Sequence, residues 1–223
     1  MRSITVLLAD DHTIVREGFR KLLDAETDIE VVGEAPTGRQ AVTMAAKLLP
    51  DVVVMDIAMP LLNGLEATRQ IRKACPLTKV LMLSAHSDSA YVEEAIEAGA
   101  SGFLFKQSSA TVLSRSIRDI QKGSLIFAPV IVRRILAERS SGRPVPPKKK
   151  SAGLTSREME VLQLIAESKA NKEVAVELGI GIKTVEKHRE HLMLKIGVHD
   201  TAGLTRYAIA AGIVECHRTP PAH

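Results

Sequence analysis

The sequence predicts a five-stranded, parallel, doubly wound α/β domain followed by an all-α domain of four helices. Three observations point there. Up to residue 122, short apolar runs alternate five times with stretches of helical spacing. Beyond residue 150 only helical patterns remain, and a tract rich in proline and lysine separates the two halves. At 223 residues the chain is long enough for two domains that each bury a core.

Ile4 to Ala9 reads as a buried strand that runs directly into Asp10 and Asp11, and Ile14, Val15, Phe19, Leu22 and Leu23 mark the helix after it. A short strand over Glu30 to Glu34 precedes a turn with Pro36 and Gly38, then a helix from about Arg39 to Leu49. Asp51 to Met55 is the third strand, an apolar run that delivers Asp56 to its end, and Leu65 to Ala74 is a helix after Asn63-Gly64. Lys79 to Ser84 forms the fourth strand, and Ser89 to Ala98 a helix closed by Gly99. Ser101 to Phe105 is the fifth strand, followed by a helix over Thr111 to Gln121 with Gly123 just beyond. Strands that are apolar throughout are covered on both faces, which favours a parallel sheet between two helical layers.

Ligands of such sheets bind beyond the carboxyl ends of the strands. Asp10 and Asp11 follow the first strand, Asp56 the third, Ser84 the fourth and Lys106 the fifth, so they are expected to converge on one rim. Singly, each has a plain structural reading: Asp11 as a helix cap, Ser84 as a strand-end hydroxyl, Lys106 as a solvated charge. As a set they mean more. Three crowded carboxylates repel one another unless a divalent cation neutralises them, and hard oxygen ligands suit Mg²⁺. A lysine and a hydroxyl offer a phosphoryl oxygen a point cation and a hydrogen-bond donor. A carboxylate that attacks phosphorus forms an acyl phosphate, and nearby cations offset the charge on the equatorial oxygens.

Residues 3 to 122 resemble the receiver domain of two-component response regulators. The resemblance rests on Asp10-Asp11, on Asp56 with Met59-Pro60 and Gly64, on Ser84-Ala85, and on the run from Ala98 through Phe103 to Lys106. It implies that Asp56 is the phosphoacceptor. It also implies that Asp10, Asp11, Asp56 and the backbone carbonyl of Ala58 bind Mg²⁺, that Lys106 contacts the phosphoryl group, and that Ser84 and Phe103 form the switch. Three positions depart from common receivers or tune them. Gln107 stands where many have proline, which removes the usual cis bond. Ala58 and His86 each lie two residues beyond a site residue and are expected to border the phosphoryl group; small Ala58 leaves water an open approach.

Residues 1–122 hold 14 Lys and Arg against 16 Asp and Glu, residues 123–150 hold 7 against 1, and residues 151–223 hold 9 against 9, so the net +4 comes from the middle. Ser124 to Ser140 has a short helical pattern with Arg133 and Arg134 outside, and Ser141 to Lys150 is a proline-stiffened linker. The charge of Lys148 to Lys150 either keeps the linker solvated or adds phosphate contacts beside a DNA module.

In the second half, Thr155-Ser156-Arg157-Glu158 is a capping-box sequence that starts a helix. Asn171 is expected to cap a second helix, Lys172 to Leu178, ended by Gly179. A third runs from Ile182 to Ile196 with Val185, His188, Leu192 and Ile196 inward, and a fourth from Ala202 to Gly212. Two short helices around a Gly-containing turn are the helix-turn-helix signature, whose second helix enters the major groove. The wording of Leu154 to Glu158, Ala166-Glu167, Asn171 to Ala175 and Lys183 to Arg189 resembles the LuxR-type DNA-binding domain, and with the receiver in front the chain looks like a NarL/FixJ-type response regulator. Ser168 replaces a frequent glycine and Gly181 a frequent serine cap. Lys172, Lys183, Thr184, Lys187 and Arg189 are expected to hold or read DNA; Glu186 and Glu190 make the face less basic, and a carboxylate there can accept from cytosine N4.

The domains are expected at 1–122 (receiver), 123–152 (linker), 153–216 (LuxR-type) and 217–223 (flexible tail). The reading is a phosphorylation-dependent transcriptional regulator, not an enzyme. Its partners are a sensor histidine kinase and double-stranded promoter DNA, with a homodimer as the active form because the second domain carries no net positive charge. Tyr207 and Ala211 are candidates for the dimer face. Output through protein contacts is the alternative; an aspartyl-phosphate phosphatase is disfavoured, since that class wants a second Asp where Ala58 stands. His188, His191 and His199 lack metal-ligand spacing. Cys75 and Cys216 read as free thiols. No apolar run nears the roughly 18 residues that span a bilayer and no secretory layout begins the chain, so a cytoplasmic protein is expected.

Overall fold

The computed structural model describes residues 2–85, 89–127 and 153–214, with the backbone alone at 89–90. The chain divides into two compact units, residues 1–145 and 146–223.

In the first unit, five strands, β1 (Ile4–Ala9), β2 (Ile29–Ala35), β3 (Val52–Asp56), β4 (Lys79–Ser84) and β5 (Gly102–Phe105), form one sheet in the order β2-β1-β3-β4-β5. Every pairing is parallel. The helices are α1 (Thr13–Asp24), α2 (Gly38–Leu48), α3 (Gly64–Ala74), α4 (Ser89–Ala98) and α5 (Ala110–Gln121). Alternate strand residues feed opposite faces. Val6, Leu8, Val52, Val54, Leu81 and Leu83 pack with Leu23 of α1 and Leu113, Ile117 and Ile120 of α5. Leu7, Val53, Met55, Val80 and Met82 pack with Ala41 and Ala45 of α2, Leu65 and Ile71 of α3, and Val92, Ala95 and Ala98 of α4. This is the doubly wound sheet the sequence predicts, with its core in two layers.

Element ends shift by a residue or two from the sequence pattern. β2 spans seven residues, because Ile29 and Ala35 are also buried. α5 begins at Ala110 because the Ser109 side chain caps it by accepting from Val112 N–H. α2 stops at Leu48 because Leu49 turns left-handed, at φ 46°. One feature was invisible to periodicity: Ile126 pairs with Gly102 in parallel, Phe103 N–H donating to Ile126 O at 2.8 Å and Ile126 N–H to Ser101 O at 3.0 Å. A single pairing residue has no period to detect, yet it extends the sheet beyond residue 122. The helical pattern expected over Ser124 to Ser140 lies outside the described residues from 128 on, as does the run Lys148 to Lys150.

The second unit holds α6 (Ser156–Ala166), α7 (Asn171–Leu178), α8 (Ile182–Ile196) and α9 (Thr201–Ala210) around Leu162, Ile165, Val174, Val185, Leu192, Leu204 and Ala208. Thr155 and Glu158 form the expected capping box at α6. Asn171 is not the cap of α7: it is the first helical residue, Ala170 occupies the cap, and Glu173 reaches back to Ala170 N–H. The side chain of Asn171 is thereby released for another use. Gly179 takes φ +61°, a left-handed helix end that favours glycine, and Gly181 starts α8 with no side-chain cap. Ser168, in place of the frequent glycine, takes φ +65°. Among the described residues no helix is long and apolar enough to cross a membrane.

Candidate functional site

The order β2-β1-β3 reverses direction along the sheet between β1 and β3, and at that point the loops after the two strands part and leave a crevice. Asp10 and Asp56 stand at its walls, both buried. Lys106, one residue past β5, reaches across with Nζ 2.8 Å from Asp10 Oδ2 and 2.9 Å from Asp56 Oδ2. These are close ion pairs, and apart from Lys106 neither Asp10 Oδ2 nor Asp56 Oδ2 has a donor among the described residues, although both are buried. Asp11 sits half-buried beside them. One ligand atom from each of Asp10, Asp11, His12 and Asp56 lies within 4.8 Å of all the others.

Local backbone fixes these groups. Asp56 Oδ1 accepts from Ile57 N–H at 2.9 Å, and the loop returns by Gly64 N–H donating to Ile57 O at 2.8 Å. A methyl group at Gly64 would overlap the Asp56 carbonyl, so the return requires glycine. Between them Leu61 holds φ 67°, a strained state for a branched residue. Asp10 Oδ1 accepts from His12 N–H at 2.9 Å, and Arg16 Nη1 donates to Asp10 O at 2.7 Å while its Nε pairs with Glu34 at 3.0 Å. Arg16 is a residue the sequence reading missed. A lone arginine in a helix signals nothing until β2 brings Glu34 beside it.

Burial pushes the Asp56 carboxyl up to about 7; Lys106 opposes this, and the negative charges of Asp10 and Asp11 add to it. Burial would lower the Lys106 ammonium, but Asp56 and Asp10 outweigh it and hold its pKa above the usual lysine value. Buried carboxylate oxygens that share one ammonium, facing a half-buried third carboxylate, are a donor set that a hard divalent cation would satisfy.

Register places the remaining candidates. Ser84 follows Leu83, the partner of Asp56, and pairs with Phe105; Lys106 N–H donates to Ser84 O at 2.8 Å. Ser84 is buried. Phe103, partner of Met82, is buried on the α2–α4 face and meets the half-exposed Phe105 edge-on at 5.8 Å between centroids. Ala58 is half-buried two residues past Asp56, and His86 lies outside the described residues.

In the second unit, Lys183, Thr184, Glu186, Lys187 and Glu190 line the exposed face of α8, and Lys172 is exposed on α7. Arg189 differs. It is half-buried, and its guanidinium donates to Asn171 Oδ1 at 2.8 Å and Thr201 Oγ1 at 2.6 Å, bracing α8 against the starts of α7 and α9. His188 is half-buried; burial, then the charge of Arg157, lowers its pKa.

A sheet with this crevice, followed in the chain by a helix-turn-helix unit, is the layout of a two-part regulatory protein, and comparison with known proteins makes the class specific. Residues 6–118 match the response regulator receiver domain, and residues 152–208 match the bacterial regulatory proteins of the luxR family. The chain is 41% identical over 206 residues to the transcriptional regulatory protein LiaR of Bacillus subtilis, covering 92% of this chain and 96% of that one. It is 35% identical over 213 residues to the response regulator protein VraR of Staphylococcus aureus, covering 96% and 100%. Among solved structures it resembles RcsB of Salmonella enterica serovar Typhimurium bound to promoter rprA with phosphomimetic BeF₃⁻, at TM-score 0.58 and 28% identity over 92% of this chain and 98% of that one. The response regulator ChrA of a heme-sensing two-component system gives TM-score 0.51 and 32% identity over 96% and 100%. The chain belongs to the response regulator family with a LuxR-type DNA-binding domain. It is a transcriptional regulator controlled by phosphorylation, and its family is not one of enzymes.

Proposed function

We propose that Asp56 is the phosphoryl acceptor and that a phosphohistidine on a sensor kinase is the donor. The supporting observation is the pair of buried oxygens, Asp10 Oδ2 and Asp56 Oδ2, bridged by Lys106 Nζ and offered no other donor among the described residues. Asp10, Asp11, Asp56 and the Ala58 carbonyl would hold Mg²⁺, which when bound supplies positive charge to phosphoryl oxygens. The chain's own groups do the rest. Lys106 keeps its proton because two carboxylates face it, so it remains a cation for the transferred group. The Ile57 N–H bond to Oδ1 orients the Asp56 carboxylate. The Asp56 oxygen–phosphorus bond forms as the histidine nitrogen–phosphorus bond breaks, and that nitrogen keeps the electron pair.

The phosphoryl oxygens then attract the Ser84 hydroxyl at the end of β4, which opens space for Phe103 to turn and alters the β4–β5 surface. We read the receiver as residues 1–122, the linker as 123–152, the output domain as 153–216 and the tail as 217–223. Output is binding of promoter DNA through Lys172, Lys183, Thr184 and Lys187, with Glu186 and Glu190 filtering sequence and Arg189 bracing the reading helix. With 9 basic and 9 acidic residues in 151–223, one copy gains little from phosphate attraction, so a cytoplasmic homodimer on paired half-sites is the active form. Its face includes the groove of about 330 Å³ between α8 and α9 that Ile196, Tyr207 and Ala211 line.

The test is chemical. Acetyl phosphate and Mg²⁺ should give one phosphoryl group per chain, visible as a retarded band on a phosphate-affinity gel and removed by hydroxylamine, as acyl phosphates are. Asp56→Asn should abolish it, and retention in that variant would overturn the assignment.

A further inference from the structure

We propose that His12 turns the acidic crevice into a mixed nitrogen and oxygen site that takes first-row divalent transition ions, with the imidazole as a ligand. This rests on the reading of the crevice as a cation site. His12 Nδ1 is 2.7 Å from Asp11 Oδ1 and 3.4 Å from Asp10 Oδ1. The first distance is short enough for a hydrogen bond, yet Asp11 Oδ1 accepts none. The ring nitrogen and the oxygen therefore lie side by side. A nitrogen and an oxygen so placed can face a common cation, which would replace their mutual ion pair.

The spacing fits. In an octahedral site with bonds of about 2.1 Å, neighbouring ligands are roughly 3 Å apart, and 2.7 and 3.4 Å fall on either side of that value. One carboxylate oxygen each of Asp10, Asp11 and Asp56 lies with a ring nitrogen of His12 within 4.8 Å of one another, which completes the set. Among the described residues the ring has no other polar partner. His12 occupies the cap position of α1, but its side chain caps nothing and remains 55% exposed, while its own N–H anchors to Asp10 Oδ1.

Ligand chemistry sets the preference. An all-oxygen site suits Mg²⁺, whereas an imidazole adds affinity for Co²⁺, Ni²⁺ and Zn²⁺ over Mg²⁺. The receiver would then be loaded or blocked by transition ions at concentrations where three carboxylates alone would hold Mg²⁺.

The full chain, freed of metal, is titrated with Mg²⁺ and separately with Co²⁺ by calorimetry, as wild type and His12→Ala. The ratio of Co²⁺ to Mg²⁺ affinity is expected to fall by about tenfold or more in the variant. A second measurement needs no variant: pulsed electron paramagnetic resonance of Mn²⁺ bound to protein carrying ¹⁵N-histidine should show coupling to one histidine nitrogen. An unchanged ratio, or Mn²⁺ bound with no histidine coupling, overturns the role of His12 while the carboxylate site stands. Wild-type protein that binds none of these ions removes the cation site itself, and this inference with it.

Discussion

Replacing Asp56 by asparagine should stabilise the metal-free first unit above pH 7, and the gain should shrink as pH falls. The carboxyl is pushed from 3.8 to about 7, by burial first, with the negative charges of Asp10 and Asp11 adding to it and Lys106 opposing. Between those values the unfolded chain has lost a proton that the folded chain still holds. The folded state binds more protons, so wild-type stability falls as pH rises through that window. The displacement corresponds to roughly 4 kcal/mol at pH 8, roughly 1 to 2 at pH 5 and almost nothing at pH 3. Asparagine carries no charge at any of these values but forfeits the Lys106 contact, while Lys106 keeps Asp10. A net gain of about 1–3 kcal/mol at pH 8 is therefore expected, falling below about 1 at pH 5. The assay is urea unfolding of the full chain in a chelator, followed by hydrogen exchange in peptides that cover β1 and β3. An equal gain at both pH values, or a wild type more stable at pH 8 than at pH 5, would refute the reasoning.

Other perturbations follow from the same structure. Ala58→Asn fills the approach beside Asp56 and should lengthen the half-time of the acyl phosphate severalfold, measured by loss of the retarded band after acetyl phosphate is removed. Gly64→Ala drives a methyl group into the Asp56 carbonyl and should cost about 2 kcal/mol or more in denaturant unfolding of the first unit. Ser168→Gly relieves a left-handed residue and should raise the melting temperature of the second unit slightly, by up to about 1 kcal/mol of stability, whereas Ser168→Val should lower it. Glu158→Gln loses Lys195 at 2.6 Å. Burial raises the Glu158 carboxyl, but Lys195 and Thr155 outweigh it and hold it below the usual range. Its stabilisation is present above pH about 4.5 and lost on acidification through the lowered value, so the variant should be weaker near neutrality and lose that acid dependence.

The first unit was legible because its signals are periodic. Runs such as Val52 to Met55 and Val80 to Leu83 can only be strands buried on both faces, and polar residues at their ends had to share a rim. Lys106 lies there within 3 Å of both Asp10 and Asp56. What escaped was aperiodic or depended on distant partners: the single pairing residue Ile126, the brace of Arg16 on Glu34, and the position of His12 Nδ1. In the second unit, a polar residue at a helix start suggested that Asn171 was a cap. The cap instead fell one residue earlier, because Glu173 can satisfy Ala170 N–H without a side chain there. That shift decides the fate of Arg189. Charge and helix position make it a candidate DNA contact, and the fold adds that Asn171 and Thr201 accept hydrogen bonds from its guanidinium.

Phosphoryl transfer to Asp56 and promoter binding meet in one measurement. Footprinting of the full chain on promoter DNA at fixed salt is compared before and after acetyl phosphate with Mg²⁺, with Asp56→Asn treated alike. Protection should appear at paired half-sites at lower protein concentration after treatment of the wild type, and the variant should stay at the untreated level. Equal protection in all three states would contradict control of DNA binding by Asp56.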